Sequence, residues 1–236
     1  MQKLRAKLYE VRRNLARLIA PLPQHHLVAT IPQQQIPALS SETYELLIEV
    51  IKNSSLTSLR NLSEKLPLQS DGKDFDEWPG QHYRFLYELS KKIQPGLTIE
   101  IGTYRGSGAL ALAPNSKKLI TYDIVPLNKI DDSYQGLESD FKNAEQRIGN
   151  LQELDYWKQE KIEFSKADLV FIDGPKNYFF EKEIIPKVIS TMRKGSFLVL
   201  DDIRFHNMSD IWSAIDKPRI DIGNFAHFSG TGFIEI

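Results

Sequence analysis

The sequence predicts an α/β fold, a mostly parallel sheet covered by helices on both faces and preceded by a mainly helical N-terminal extension. Three observations carry this reading. Apolar runs at 97–101, 118–123, 167–173 and 196–201 have the length of buried strands. Segments that read as helices stand between several of them, and this alternation is the mark of a parallel sheet. Each run closes on a glycine or an acid (Gly102, Asp123, Asp173, Asp201), residues suited to the edge of a sheet where a ligand approaches.

The bulk numbers are those of an ordinary globular chain. Its 236 residues suffice for one large domain plus a helical extension, and hydrophobic and charged contents are 41% and 26%. A formal net charge of -1 gives no pull toward nucleic acid. The absence of cysteine removes disulfides, thiolate metal sites and cysteine nucleophiles together. No apolar run approaches the roughly 20 residues of a membrane span. Arg12, Arg13 and Arg17 interrupt what would be the core of a signal peptide, so a soluble cytoplasmic protein is expected.

Residues 1–20 read as a helix with Leu4, Leu8, Val11, Leu15 and Leu18 on one face and mostly basic residues on the other. Such a helix can lie on an anionic membrane, pair with a second copy in a homodimer, or pack its stripe on the rest of the chain. The stripe is shorter than a coiled coil needs, so packing is favoured and no strong membrane binding is expected. Pro21 and Pro23 end it, and 24–39 reads as a connector. His25 and His26, with no second cluster, do not make a metal site. Ser40 and Ser41 can cap a helix through Tyr44, Leu47, Val50 and Ile51, and 66–79 reads as loop. The extension is set at 1–79 and the main domain at 80–236. In the latter, helices are expected near 81–92, 137–146 and 178–193. A further strand is expected at 144–148, and Phe228 to Ile236 reads as a closing edge strand.

The central motif is Glu100-Ile101-Gly102-Thr103-Tyr104-Arg105-Gly106-Ser107-Gly108 between the first strand and an alanine-rich helix start. Gly102 and Gly106 permit a tight turn and close approach to a ligand. Asp123, at the end of the next strand, can accept from both hydroxyls of a ribose. A dinucleotide would place its pyrophosphate over this turn, where Glu100 repels it, and its fingerprint wants glycine at Tyr104 and Ser107. S-adenosylmethionine carries an ammonium and a sulfonium and no phosphate, so an acid there favours it. A purely structural turn is the bland alternative. Asp173, Asp201 and Asp202 close later strands on the same edge. Three carboxylates there can hold a hard cation such as Mg2+, or one or two of them cap helices and bond loop amides.

The ordered set Glu-Ile-Gly-Thr-Tyr-Arg-Gly-Ser, Tyr-Asp-Ile, Phe-Ile-Asp-Gly and Leu-Asp-Asp-Ile resembles the class I S-adenosylmethionine-dependent methyltransferases. It is most similar to their O-methyltransferase branch, which includes catechol and macrocin O-methyltransferase-like enzymes. The resemblance covers 80–236 and implies a Rossmann-like, mostly parallel seven-stranded sheet. It implies that Glu100, Gly102 and Gly106 line the methionine part of the cofactor and that Thr103, Tyr104 and Ser107 of the same turn also bind the cofactor. By the same resemblance Asp123 holds the ribose, Asn150 lies near the adenine, and Asp173, Asp201 and Asp202 are metal ligands, with Asp173 also beside the cofactor. Many relatives continue the fourth strand as Asp-Gly-Asp-His-Ser-Tyr; this chain reads Asp173-Gly174-Pro175-Lys176-Asn177-Tyr178, without that histidine.

A hydroxyl acceptor must lose a proton. Asp173, Asp201 and His206 are the catalytic candidates, with Lys176 the rival to His206 as base. His82 is placed to cover the site, and His227 reads as structural. Trp78, Tyr83, Phe179, Phe180 and Trp212 can line an acceptor pocket, although such aromatics are more often core. The expected activity is methyl transfer to a hydroxyl of a small molecule or sugar. A non-catalytic interaction module and a nucleotide-dependent oxidoreductase are the alternatives.

Overall fold

A computed structural model describes residues 37–63, 81–130 and 141–236. The helix expected over 1–20, most of the connector with His25 and His26, the loop 66–79 with Trp78, and the first part of the helix expected at 137–146 lie outside the described residues.

The chain enters through α1 (Ser41–Ser54) and the short α2 (Arg60–Ser63). The Ser40 hydroxyl caps α1 by accepting from the Thr43 amide at 3.2 Å, and the Ser40 amide donates to Glu235 Oε2 at 2.8 Å. Ser40→Ala is therefore expected to lower stability by about 1 kcal/mol, read as a shift of the urea midpoint without a change in slope.

The doubly wound part follows as α3 (His82–Ile93), β1 (Thr98–Ile101), α4 (Ser107–Leu112), β2 (Leu119–Asp123), α5 (Leu127–Ile130) and β3 (Ala144–Ile148). The second half runs α6 (Leu154–Phe164), β4 (Leu169–Ile172), α7 (Phe179–Thr191), β5 (Phe197–Asp201), α8 (Met208–Ala214), β6 (Arg219–Asp221) and β7 (Thr231–Glu235). The seven strands are ordered β3-β2-β1-β4-β5-β7-β6; β7 pairs antiparallel with both β5 and β6, and the other pairs are parallel. The chain winds outward from β1 to β3 and then returns to lay β4 on the other side of β1. That reversal opens a crevice beyond the carboxyl ends of β1 and β4.

Strand alternation divides the core in two. Leu169 and Phe171 of β4 face one side with Val199 and Phe233, where Leu47, Val50, Phe85, Leu89 and Leu110 from α1, α3 and α4 cover them. Val170 and Ile172 face the other side with Ile99, Ile101 and Leu200, under Trp157, Phe164, Ile184, Val188 and Ile211 from α6, α7 and α8. Residues from α1 thus belong to the core of the sheet.

Several expectations change in detail. Residues 141–143 form a turn and 144–148 are strand, so no helix extends to 146. β7 is not an edge: it pairs with β5 on one side and β6 on the other, and the three-residue β6 is the edge. α6 and α8 were not expected. Neither shows a strong apolar stripe, since α6 buries only Trp157 and Phe164 fully. Among the described residues no helix is long and apolar enough to cross a membrane.

Candidate active site

Beyond the carboxyl ends of β1 to β4 lies a cleft of about 530 Å³, within the range that takes a small organic ligand. Five of the residues expected at the cofactor line it, Gly102, Tyr104, Asp123, Asn150 and Asp173, and so does Phe180, expected at the acceptor pocket. Ile124, Val125, Leu151 and Phe180 supply apolar walls. Ile124 is 69% exposed directly after Asp123, an apolar side chain left open at a strand end.

Gly102 makes the crevice possible. Its φ is +99°, and a β-carbon there would stand 1.9 Å from the backbone oxygen of Asp173. Only a glycine lets the β1 turn lie against the end of β4. The turn continues through Tyr104 at φ +41° to Gly106 at φ +86°, whose carbonyl begins the helical bonding of α4. Among the described residues six non-glycines have positive φ. Five of them, Tyr104, Lys176, Tyr178, Asp202 and His206, follow β1, β4 or β5. Strained backbone is thus gathered at one edge of the sheet, where it costs on the order of 1–3 kcal/mol per residue.

Asp123 is tied into this edge by three amides. Its Oδ2 accepts from Tyr104 at 2.8 Å, and its Oδ1 from Ile124 at 2.7 Å and Val125 at 3.1 Å. Asn150 stands at the end of the adjacent β3, where Gly149 donates to the Asp123 carbonyl.

Glu100, Thr103, Gly106 and Ser107 do not line the cleft. Glu100 is 1% exposed and points to the face opposite Ile99 and Ile101, under the start of α4. Its carboxyl accepts from the Thr121 hydroxyl at 2.5 Å and from the Ala109 amide, and Thr121 in turn bonds Thr103 at 2.6 Å. Burial pushes the Glu100 carboxyl well above its ordinary value of 4.5, and the charges of Asp173 and Asp123 add to this. The direct contact with a ligand expected of Glu100 is therefore replaced by a structural role beneath the turn. A raised folded value means that this group's contribution to stability is complete below 4.5 and is lost as pH rises. Glu100→Gln is expected to remove that dependence, so the parent should lose stability relative to the variant on going from pH 5 to pH 9. Parallel urea melts measure it. Ser107 turns to the Tyr83 hydroxyl, which is bonded to it and faces Asp173 and Asp201.

Next to the cleft is a charged cluster. Lys176, in the left-handed conformation, brings its buried Nζ to 2.6 Å from Asp173 Oδ1, 3.3 Å from the Gly174 carbonyl and 3.4 Å from Asp202 Oδ2. Its loop is held from below by Glu181, fully buried, which accepts from the Lys176 amide at 2.7 Å and the Tyr178 amide at 3.0 Å. Burial pulls the Lys176 ammonium down, but the charges of Asp173, Asp201 and Asp202 outweigh it and hold the ammonium above its usual range. Asp201 is 6% exposed, and burial, with repulsion from Asp173 and Asp202, pushes its carboxyl well up. Asp202 goes the other way: burial opposes its charge, but bonds from His227 and Ser229 and the charge of Lys176 hold it well below its usual value.

The imidazole set against these carboxylates is His227. Its Nδ1 lies 3.5 Å from Asp201 Oδ1 and 3.3 Å from Asp202 Oδ1, and the Ser229 hydroxyl bonds both Asp202 and His227. His206 is exposed, stacks edge-on against Phe205, and forms no hydrogen bond or ion pair among the described residues. His82 is buried, with Nδ1 3.8 Å from Asp201, and burial together with His227 lowers it to about 3, so it is a neutral wall. Trp212 packs against Gly232 and Arg219, away from the cleft. The expected cation triad also changes. Asp173 is occupied by Lys176, and the group whose ligand atoms lie within 4.8 Å of one another is Asp201, Asp202 and His227. Asp201 Oδ1 is buried without a hydrogen-bond partner, so the carboxylate pair can receive a cation.

The family model of the O-methyltransferases matches residues 42–212. The chain belongs to the O-methyltransferase family. The match takes in α1, for which the sequence showed no counterpart. Mouse catechol O-methyltransferase is 25% identical over 123 residues, 48% of this chain and 44% of that protein, so the alignment spans less than half of the relative's length. Two solved structures share the fold of this methyltransferase domain at 17% identity. One is the O-methyltransferase TomG from Streptomyces achromogenes (TM-score 0.53, 84% of this chain and 99% of that one). The other is an O-methyltransferase from Bacillus cereus (TM-score 0.50, 86% and 94%). The family match leaves the oxidoreductase alternative without support.

Proposed function

We propose that the protein transfers a methyl group from S-adenosylmethionine to a hydroxyl of a small molecule, with the cofactor in the cleft beyond β1 to β4. The observation that carries this reading is the join of two sites through one residue. Asp173 lines the cleft and bonds Lys176 of the charged cluster, so a donor in the cleft and an acceptor at the cluster would meet there. The TomG and Bacillus cereus structures were determined with S-adenosylmethionine and S-adenosylhomocysteine bound. Asp123 is proposed to hold the ribose, and Asn150 with Ile124 and Val125 the adenine. Tyr104 and Gly102 would border the methionine part.

The bound cofactor supplies an electrophilic methyl on a sulfonium, and alignment of the acceptor oxygen with it provides much of the rate. As the C–O bond forms and the C–S bond breaks, the hydroxyl proton must leave. Lys176 is held as an ammonium, so its part is to stabilise the oxygen as negative charge develops. Asp173, hydrogen-bonded to it at 2.6 Å, is the adjoining proton acceptor. A divalent ion on Asp201 and Asp202 would supply further polarisation of the acceptor hydroxyl. Phe179 at the start of α7 and Phe205 and Phe228 on loops are exposed at this same edge, which supports a planar, apolar acceptor bearing a hydroxyl.

The test is to supply S-adenosylmethionine with panels of phenols, catechols, sugars, amines and thiols, reading S-adenosylhomocysteine release and product mass. Methyl ethers from the hydroxyl panels are expected. Turnover confined to amines or thiols would refute O-transfer.

A further inference from the structure

We propose that Glu181 is a positioning residue for the transfer reaction, placing Lys176 against Asp173 and Asp202 through two loop amides. The inference rests on the transfer reading above, in which the Lys176 ammonium stabilises the acceptor oxygen.

Lys176 stands four residues beyond Ile172, the end of β4, and its side chain folds back to the strand end. The ammonium lies 2.6 Å from Asp173 Oδ1, 3.3 Å from the Gly174 carbonyl oxygen and 3.4 Å from Asp202 Oδ2. This return path needs a left-handed backbone, with φ +55° at Lys176 and +73° at Tyr178. A residue with a β-carbon is more stable at negative φ. Released from outside restraint, Lys176 would relax there and its side chain would leave the carboxylates.

Glu181 is the restraint. Its side chain is fully buried; Oε1 accepts from the Lys176 amide at 2.7 Å and Oε2 from the Tyr178 amide at 3.0 Å. Within 174–178 these are the two amides that form hydrogen bonds among the described residues. A glutamate in the first turn of α7 needs only the Tyr178 bond to cap that helix. The bond to Lys176, two residues further back, lies outside what capping requires. Gly174 leaves room for it, since a β-carbon there would stand 2.9 Å from Glu181 Oε1. Glu181 does not line the cleft, so its effect on the reaction passes through the backbone of Lys176.

The experiment uses the full chain and Glu181→Gln, in which an NH2 replaces one acceptor oxygen and faces an amide donor. The first readout needs no acceptor. In protein labelled with 13C-lysine, the ε-methylene signal of Lys176, identified by its loss in Lys176→Met, should stand apart from those of exposed lysines. Glu181→Gln should move it into the exposed range, whereas Ser40→Ala, which weakens a distant helix cap, should leave it in place. The second readout is kcat with an acceptor from the hydroxyl panels. Glu181→Gln should lower it roughly ten- to a hundredfold, the scale of misplacing a group by about 1 Å, with S-adenosylhomocysteine affinity unchanged. Added to Lys176→Met, it should lower kcat by less than about threefold more, because both changes act through one ammonium. A Lys176 signal unmoved in folded Glu181→Gln, or equal kcat losses in the two backgrounds, would overturn the proposal. Failure of every hydroxyl acceptor would instead sink the transfer reading, and the lysine signal would still decide whether Glu181 places Lys176.

Discussion

Gly102→Ala is expected to destabilise the protein by roughly 2–6 kcal/mol, combining left-handed backbone strain with forced overpacking. The added β-carbon would stand 1.9 Å from the Asp173 carbonyl oxygen, and a backbone atom cannot swing aside as a side-chain end can. Either β4 moves away from β1 or the turn changes conformation, and both deform the crevice. Gly195→Ala isolates the strain alone, because Gly195 has φ +81° and a β-carbon there would meet nothing within 4 Å. Urea unfolding should therefore show a much larger loss for Gly102→Ala than for Gly195→Ala. Equal losses would mean that the close approach of β1 and β4 is not what requires glycine.

Lys176→Met is expected to cut kcat by roughly a hundred- to a thousandfold, the scale of losing one group that stabilises a developing oxyanion. Cofactor affinity should change far less, because Asp123, Asn150 and the turn at Gly102 are untouched. Stability should fall as well, since Asp173 and Asp202 would lose their buried counter-charge. The acid limb of the stability curve checks this second effect. Asp202 is held below its ordinary value of 3.8, so its contribution is present above that pH and is lost as pH falls through the folded value. Without Lys176 the loss should begin at a higher pH. A variant with full kcat would remove Lys176 from the reaction.

The sheet was legible wherever a strand is buried on both faces. β1, β2, β4 and β5 are short apolar runs ended by glycine or acid, and period-two packing leaves little freedom in where they lie. β6, read Arg219-Ile220-Asp221, is an edge with one apolar residue and gives no such signal. α6 was hidden for a related reason: with two fully buried side chains in eleven residues, its helical period is faint.

The site divides along the same line. Gly102, Tyr104, Asp123 and Asn150 sit at strand ends, and their place in the cleft follows from the order of the strands. Glu100 shows that alternation outranks a motif. Ile99 and Ile101 face α6 and α7, so Glu100 must face α4, which takes it out of the cleft. His227 was obscure because it lies 25 residues beyond Asp202 in the β6–β7 connection. Only the antiparallel pairing of β7 with β5, which sets Thr231 beside Asp201, brings that loop to the carboxylates. His206, close to Asp202 in sequence, is turned out to solvent by its own positive φ of 46° and its packing on Phe205.

The most direct test of the central claim is calorimetric titration of the parent and of Asp123→Ala with S-adenosylmethionine and S-adenosylhomocysteine. Both ligands should bind the parent at one site, and the variant should bind each more weakly by about 1–3 kcal/mol, the worth of hydrogen bonds to a charged group. Absence of binding to the parent, or equal affinity in a folded Asp123→Ala, would contradict the assignment of this cleft to the methyl donor.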